Sequence, residues 1–200
     1  MSGKDSNNNG EEIEKKSLIQ SNLTKRVATS AIFIAVGIVL AMFNPFAFVE
    51  ILGGPKVFPM AHFINGITGV LIGISFACVT SLGIAIFRYP VGIGSIHAFH
   101  GGISGAFVVG LVSYILRKKK PNYVEYAALA DPIGTVFIAA TIANIISPVH
   151  LLYWWGLFAA SSIPGSILGF LMLKLLKRQG ISYKDFFQDW KDLFFYELSW

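Results

Sequence analysis

Cysteine and charge are both scarce in this 200-residue chain. The single cysteine, Cys78, excludes an intramolecular disulfide framework and any metal site built from several cysteines. Charged residues make up 14% of the sequence, against about a quarter in an ordinary soluble domain, while 54% of the residues are hydrophobic. The mean hydropathy is +0.62. These values exclude a typical soluble domain and predict one membrane domain with several spans.

Signals for nucleotide hydrolysis, nucleic-acid binding and secretion are also absent. The chain has no Walker A sequence, so it cannot hydrolyse ATP by that route. The net charge of +5 does not indicate a nucleic-acid partner, because the basic residues cluster beside apolar runs, where they set topology and contact membrane lipid. The first apolar run begins near Val27, after a polar segment, and continues to Phe43 without a cleavage site. We therefore expect the first span to remain.

Five apolar runs follow the polar N-terminal segment, and the second of them determines the number of spans. They cover about residues 27–48, 58–87, 96–116, 127–146 and 151–176. The second run, at about 30 residues, is longer than the roughly 20 residues that one spanning helix needs, yet it is short for two helices. Two helices that turn near residues 73–75 therefore compete with one long helix.

The basic residues decide between these topologies, because cytoplasmic loops carry an excess of Lys and Arg. With the N-terminus inside and the second run divided, the basic residues within 25–26, 117–120 and 174–178 all fall on the cytoplasmic side. With a single crossing, residues 117–120 would lie outside. We therefore predict an all-α membrane protein, a six-transmembrane-helix bundle with cytoplasmic N- and C-termini. It would be a multi-pass protein of the cell (plasma) membrane.

The polar ends of the chain lie outside this bundle. Residues 1–22 are rich in Asn and charge, which predicts a disordered cytoplasmic tail. Residues 23–178 form the predicted six-helix membrane domain. Residues 179–200 alternate aromatic and charged side chains, which predicts an amphipathic cytoplasmic segment that lies on the membrane surface.

On this topology many of the polar and ionisable residues lie at the outer side of the membrane. All four histidines fall there, together with a glycine-rich segment around Gly92 to Gly105. Ionisable groups at membrane depth are costly unless they face a protein interior or a water-filled cavity. Irregular backbone is tolerated at that depth only in the same places. The outer side is therefore the predicted ligand site.

Several of these residues have a purely structural interpretation. Trp154 is typical of an interfacial aromatic belt, and Arg88 of a contact with lipid phosphate. The spacing of His97 and His100 suits a metal ligand pair, but no nearby carboxylate completes such a site, and we predict no metal. Asp131 precedes a proline at the start of an apolar run, which predicts a helix cap.

Small residues form a stripe along the first span. Ala31 and Ala35 lie one turn apart, and Ala28 and Thr24 extend the same face. Small residues let helices approach closely in lipid, where no hydrophobic effect drives their association. The stripe predicts either packing within the bundle or docking to another membrane subunit.

Three stretches together resemble the ThiW family of thiamine-precursor S components of energy-coupling factor (ECF) transporters. They read KVFPMAHFINGITGVLIG from Lys56, FRYPVGIGSIHAFHGGISGAFVVGLV from Phe87 and DPIGT from Asp131. The positions that match the family pattern are Phe58, Pro59, His62, Asn65, Arg88, Gly92, Gly94, Ala98, Phe99, Gly101, Gly134 and Thr135. The sequence departs from the pattern at His100, where a proline is expected, and at Asp131, where a glutamate is expected. The resemblance covers roughly residues 25–175.

This resemblance implies a six-helix subunit that binds substrate at its outer side and topples in the membrane to deliver it. The implied partners are a transmembrane coupling subunit and two ATPase subunits. The coupling subunit would dock at Ala31 and Ala35, which match the small-residue motif of the family. ATP would be used by the partners, so the chain itself needs no cofactor and is not an enzyme. The implied substrate is a thiamine precursor, hydroxyethylthiazole or a related molecule, and the alternative is another small vitamin or precursor.

The candidate substrate-binding residues combine this resemblance with the polar and aromatic residues of the outer side. They are Phe58, His62, Asn65, Arg88, Gly94, Phe99, His100, Asn144 and Trp154. An intramembrane enzyme that uses the outer histidines is the alternative from another class. It would need a carboxylate or a nucleophile paired with a histidine within the spans, and the sequence indicates none. A stand-alone transporter would need an internal repeat, which the chain does not show.

Overall fold

The computed structural model describes residues 3–44, 46 and 56–187, with side chains from residue 16 onward. This part of the chain is all-α, as predicted, and contains no β-strand. Its six main helical segments are α1 (Gly3–Met42), α2 (Pro59–Leu71), α3 (Ile74–Arg88), α4 (His97–Lys119), a fifth helical segment (Pro121–Ile146) and α6 (Leu151–Arg178).

Four helices are long and apolar enough to cross a membrane. They are Lys16–Met42 within α1, His97–Lys119, Pro121–Ile146 and Leu151–Arg178. α2 and α3 are shorter, with 13 and 15 residues. Within the described ranges, the chain therefore has the helices of a multi-pass membrane protein, and its localisation in a membrane is confirmed.

The apolar run of residues 58–87 is divided into α2 and α3, as predicted. The break lies at Gly73, whose φ of +84° falls in the left-handed region that favours glycine. The last turn of α2 closes with the Ile72 amide donating to the Thr68 oxygen at 2.8 Å. α3 then starts at Ile74 in a new direction, so α2 can pack among α1, α3, α4 and α6.

Two buried arginines bind the C-terminal end of α2. Arg26 donates from Nε to the Ile72 oxygen at 2.9 Å, and Arg117 donates from Nη2 to the Val70 oxygen at 2.7 Å. Carbonyls at the end of a helix have no partner within the helix, and the helix dipole favours cations there. The ring of Phe187 lies 4.5 Å from the Arg26 guanidinium and 4.0 Å from that of Arg117. These contacts join α1, α2, α4 and the C-terminal segment.

The fifth helical segment changes its winding twice. It begins as a 3₁₀ helix (Pro121–Ala130), continues as a π-helix (Ile133–Ala139) and ends as α5 (Ala140–Ile146). Asp131 and Pro132 lie at the first junction. Wide π turns inside helices occur frequently at functional sites. Asp131, just before this one, is fully buried.

The chain termini bear on the predicted domain boundaries. α1 extends back to Gly3, so residues of the predicted tail continue the first helix. At the other end, a 3₁₀ turn (Tyr183–Asp185) begins with a capping box between Ser182 and Asp185. The rest of the predicted amphipathic segment, residues 188–200, lies outside the described residues, as does most of the loop before Lys56. The division into a tail, a membrane domain and a C-terminal segment stays a prediction.

Candidate functional site

A cavity of about 720 Å³ lies between the ends of α1, α2, α3, α4 and α6. Its size is that of a typical small-molecule site. The polar residues that line it are Asn44, Lys56, His62, Asn65, Ser81, Arg88, Ser95, His97 and Ser161. Its apolar wall includes Phe58, Ile84, Leu157 and Phe158. The cavity therefore combines flat apolar surfaces with a few polar groups, as ligand sites do.

A buried hydrogen-bond network forms one wall of the cavity. His62 Nδ1 lies 2.8 Å from Asp131 Oδ2, within hydrogen-bonding distance. Asn65 donates from Nδ2 to Asp131 Oδ1 at 3.1 Å and to the Gly102 oxygen at 2.9 Å. The Thr135 hydroxyl donates to the Asp131 backbone oxygen at 2.9 Å. Asp131 is 0% exposed and Asn65 is 1% exposed. A buried carboxylate is costly unless it is hydrogen-bonded, and this one contacts the polar side-chain atoms of His62 and Asn65.

The network fixes which atom of His62 a ligand can meet. A carboxylate oxygen accepts hydrogen bonds, so a His62 ring that carries a single proton holds it on Nδ1, beside Asp131. Nε2 is then the acceptor that His62, which lines the cavity, offers to a ligand. Asp131 does not itself line the cavity. Its role is to orient His62 and Asn65.

The Asp131 carboxylate can lie this close to α4 because residue 105 is glycine. A Cβ on Gly105 would lie 2.9 Å from the Asp131 carboxyl carbon, within overlap distance. The glycines that sequence analysis assigned to an irregular turn therefore include one inside α4 (His97–Lys119) with a packing role.

Arg88 ends α3 and turns its guanidinium into the cavity. The guanidinium carbon lies 4.1 Å from the centre of the Phe58 ring, and Nη2 donates to the Ile93 oxygen at 3.3 Å. Its Nε is buried and has no hydrogen-bond partner among the described residues. A Cβ on Gly94 would lie 3.0 Å from the Arg88 Cβ, so the loop after α3 confines the side chain.

Five of the nine predicted substrate-binding residues line the cavity. They are Phe58, His62, Asn65, Arg88 and Gly94. These five were identified by the family resemblance, in which Phe-Pro-x-x-His-x-x-Asn places Phe58, His62 and Asn65 along one side of α2. The structure brings them together with Arg88 from α3.

The other four predicted residues do not line the cavity. Phe99 packs edge-on against Tyr89, with ring centres 5.7 Å apart. His100 contacts His97, with 3.0 Å between Nε2 and Nδ1, and lies against Phe158.

Asn144 and Trp154 belong to the fifth helical segment and α6. Trp154 packs in an apolar cluster and donates from Nε1 to the Ser147 oxygen at 3.2 Å. Its ring lies 4.4 Å from that of His97, which does line the cavity. Trp154 therefore supports a wall of the cavity from behind. Asn144 is partly buried and lies away from the cavity.

Sequence analysis missed several residues of the site. The predicted helix cap at Asp131 was wrong, because its carboxylate accepts from the side chains of His62 and Asn65 instead. The prediction that no carboxylate pairs with a histidine within the spans was wrong for the same reason. Ser81 and Ser161 also line the cavity, and no sequence pattern singled them out.

The predicted docking stripe lies on the surface of α1. Thr24, Ala28, Ala31 and Ala35 are all exposed within the described part of the chain. The opposite face of α1 packs inward, where the Ser30 and Thr80 hydroxyls lie 2.8 Å apart. The stripe therefore does not serve packing among the described helices, which was one of its two predicted roles.

Comparison with known proteins adds a family. A family model described as thiamine-precursor transporter protein (ThiW) matches residues 27–179. The search of curated proteins found no match, and neither did the search of solved structures. The match covers more than half of the chain and includes every described residue of the cavity wall. It confirms the resemblance that the motifs indicated.

Proposed function

Because the chain belongs to the ThiW family of thiamine-precursor transporters, we propose that it is the substrate-binding S component of an ECF importer. The family is a transporter family and not an enzyme family. The substrate we propose is a thiazole-type precursor, hydroxyethylthiazole or a close relative. The single observation that supports a binding role most strongly is the cavity itself, in which α2 and α3 bring Phe58, His62, Asn65 and Arg88 together.

The cavity suits a flat heteroaromatic ring with one or two polar groups. Phe58 and Phe158 offer aromatic surface for the ring. Asp131 holds the His62 ring through Nδ1, and Nε2 on the other side of the ring accepts a hydrogen bond from a hydroxyl group. Arg88 donates to a ring heteroatom or to a substituent. The pairing of His62 with Asp131 thus serves recognition in this proposal, and it does not require a catalytic role.

In the proposed topology all six helical segments cross the membrane, with both chain termini in the cytoplasm. The cavity lies at the N-terminal end of α2 and the arginines that bind Val70 and Ile72 lie at its C-terminal end. Basic residues prefer the cytoplasmic side, so the cavity faces outward. This orientation agrees with the import of a substrate from outside the cell.

Transport also requires partners that supply energy. We propose a transmembrane coupling subunit and two ATPase subunits, which use ATP while this chain holds no cofactor. The coupling subunit would dock on the stripe of Ala31 and Ala35, since both residues are exposed and small enough to let a second helix approach closely.

Equilibrium binding to the purified full-length protein tests the substrate. We expect saturable binding of hydroxyethylthiazole that is lost in Ala98→Trp, because Ala98 lines the cavity and the indole would fill it. Ala28→Trp, on the exposed face of α1, is the matched control and should bind normally. If hydroxyethylthiazole, the pyrimidine precursor and thiamine all fail to bind the unmodified protein, the proposed substrate class is wrong.

A further inference from the structure

We propose that Arg88 binds an anionic group, a carboxylate or a phosphate ester, carried by the small aromatic molecule that the cavity takes up. This inference rests on the proposed function and specifies the charge of the same substrate.

Most donors of Arg88 have no partner in the part of the chain that the structure describes. A guanidinium has five N–H groups, and the structure shows one bond, from Nη2 to the Ile93 oxygen at 3.3 Å, which is a long one. Nε is buried without any partner among the described residues. A buried donor left unpaired is destabilising, more so when it is charged. The buried Nε is out of reach of a ligand in the cavity, so a ligand would accept from the Nη groups and balance the charge of the guanidinium there.

The surroundings hold the guanidinium in a shape that suits a planar or tetrahedral anion. One face of its plane lies on the Phe58 ring at 4.1 Å, and Gly94 packs against the aliphatic part of the side chain. With one face covered, the free edge of N–H groups is the part available to a ligand. Arginine edges bind carboxylate and phosphate oxygens in pairs, which a lysine in this place could not do.

Among the described residues, no carboxylate pairs with Arg88. The carboxylates with described side chains are Glu125, Asp131 and Asp185, and all three are engaged elsewhere. Glu125 pairs with Lys177 at 2.9 Å, Asp131 accepts from His62 and Asn65, and Asp185 accepts from the Ser182 amide at 2.7 Å.

The described cavity wall therefore holds two full positive charges, Arg88 and Lys56, and no carboxylate. A cation at membrane depth is costly without an anion beside it. An anionic ligand would supply that partner. A cationic ligand, such as intact thiamine with its positively charged thiazolium ring, would add to the repulsion. We therefore expect the cavity to prefer an anionic thiazole derivative to the neutral alcohol, and the neutral alcohol to thiamine.

Calorimetric titration of the purified full-length protein tests this order. The ligands are hydroxyethylthiazole, its phosphate monoester, a thiazole carboxylate and thiamine. We expect at least one anionic ligand to bind about tenfold more tightly than the alcohol, which corresponds to about 1.4 kcal/mol. In Arg88→Gln this preference should fall to about twofold or less, with a small change for the alcohol, and Arg88→Lys should recover part of it. Arg178→Gln, at the exposed end of α6, is the matched control.

The two proposals fail in different ways. If the alcohol binds but neither anion binds more tightly, or if Arg88→Gln keeps the preference, the anion site is wrong while the thiazole substrate stands. If no thiazole binds, thermal unfolding with inorganic phosphate decides. A rise in Tm that Arg88→Gln abolishes supports the anion site, and no rise refutes it.

A lipid headgroup carries the same phosphate chemistry, so the titration is repeated in lipid nanodiscs. Phosphatidylcholine discs are compared with discs that also contain anionic phosphatidylglycerol. Equal affinity for the anionic ligand in both supports a substrate site. A loss of affinity of about tenfold in the anionic discs would show that Arg88 binds lipid and would overturn the proposal.

Discussion

Replacement of Asp131 by asparagine should exchange the roles of the two ring nitrogens of His62, so that Nδ1 accepts a hydrogen bond and Nε2 donates one. The carboxylate accepts from His62 Nδ1 at 2.8 Å and from Asn65 Nδ2 at 3.1 Å. An asparagine has one oxygen and one NH₂ group in the same positions, so it can accept from only one of the two. If its oxygen stays with Asn65, its NH₂ faces Nδ1, which must then accept. The proton moves to Nε2, the atom that meets the ligand.

The size of the effect follows from the atoms involved. Nε2 changes from an acceptor to a donor, so a ligand hydroxyl that donated to it loses one hydrogen bond and faces a second donor. Loss of a bond that leaves a buried polar group unpaired costs about 1–3 kcal/mol. We therefore expect the affinity of Asp131→Asn for a hydroxyl-bearing ligand to fall by roughly 10- to 100-fold. Asp131 is buried, so some loss of stability should accompany this change.

Two measurements together test this reasoning. Nitrogen chemical shifts of labelled histidine report the tautomer of His62, and calorimetric titration reports the affinity. Glu125→Gln is the matched control, since Glu125 is another buried carboxylate but pairs with Lys177 away from the cavity. It should leave both readouts unchanged. An Asp131→Asn protein that folds, keeps its Nδ1 proton and binds with unchanged affinity would refute the orienting role of Asp131.

Three further substitutions test other parts of the structure. Ala35→Trp should leave ligand affinity unchanged and abolish co-purification of the coupling and ATPase subunits. The control Ile115→Trp, on the exposed face of α4, should change neither property. Co-purification that survives Ala35→Trp would contradict docking at the stripe. Gly73→Ala places a side chain at φ +84° and should destabilise the protein by about 1–2 kcal/mol, measured as a lower Tm in detergent. Phe187→Ala removes ring contacts with two arginines and should lower stability by about 1–2 kcal/mol, without changing ligand affinity.

The break at Gly73 could be predicted because two independent signals agree there. The run of residues 58–87 is long for one helix, and the basic residues match the positive-inside tendency only if it divides. The turn then needs a residue that tolerates positive φ, and Gly73 is in the right place. A break of this kind can be predicted because composition and charge, which the sequence contains, determine where it lies.

The position of Asp131 within its helical segment could not be predicted from the sequence, because the segment is irregular. It precedes a proline at the start of an apolar run, which is the usual pattern of a helix cap. The helical segment in fact begins ten positions earlier, at Pro121, as a 3₁₀ helix. Asp131 therefore lies well inside the segment, where it meets His62 on α2. Contacts between residues 69 positions apart depend on packing that periodicity does not reveal.

The predicted roles of Phe99 and His100 show in a similar way what a sequence motif cannot predict. Phe99 and His100 follow Ala98 directly, but successive residues of a helix point about 100° apart. Ala98 and Gly101 line the cavity, while Phe99 and His100 contact Tyr89 and Phe158. A motif identified the right segment of α4, and the rotation of the helix decided which of its residues meet a ligand.

The shortness of α3 has a consequence for the surrounding bilayer. Its 15 residues are roughly 22 Å long at about 1.5 Å per residue, against a hydrocarbon thickness of about 30 Å. Val79, Leu82 and Ile86 are exposed on this helix, and in the proposed topology they would contact lipid. In the proposed topology, lipid chains must compress beside α3 by roughly 8 Å, at fractions of a kcal/mol per ångström. This strain raises the energy of the upright protein by an amount on the order of a few kcal/mol.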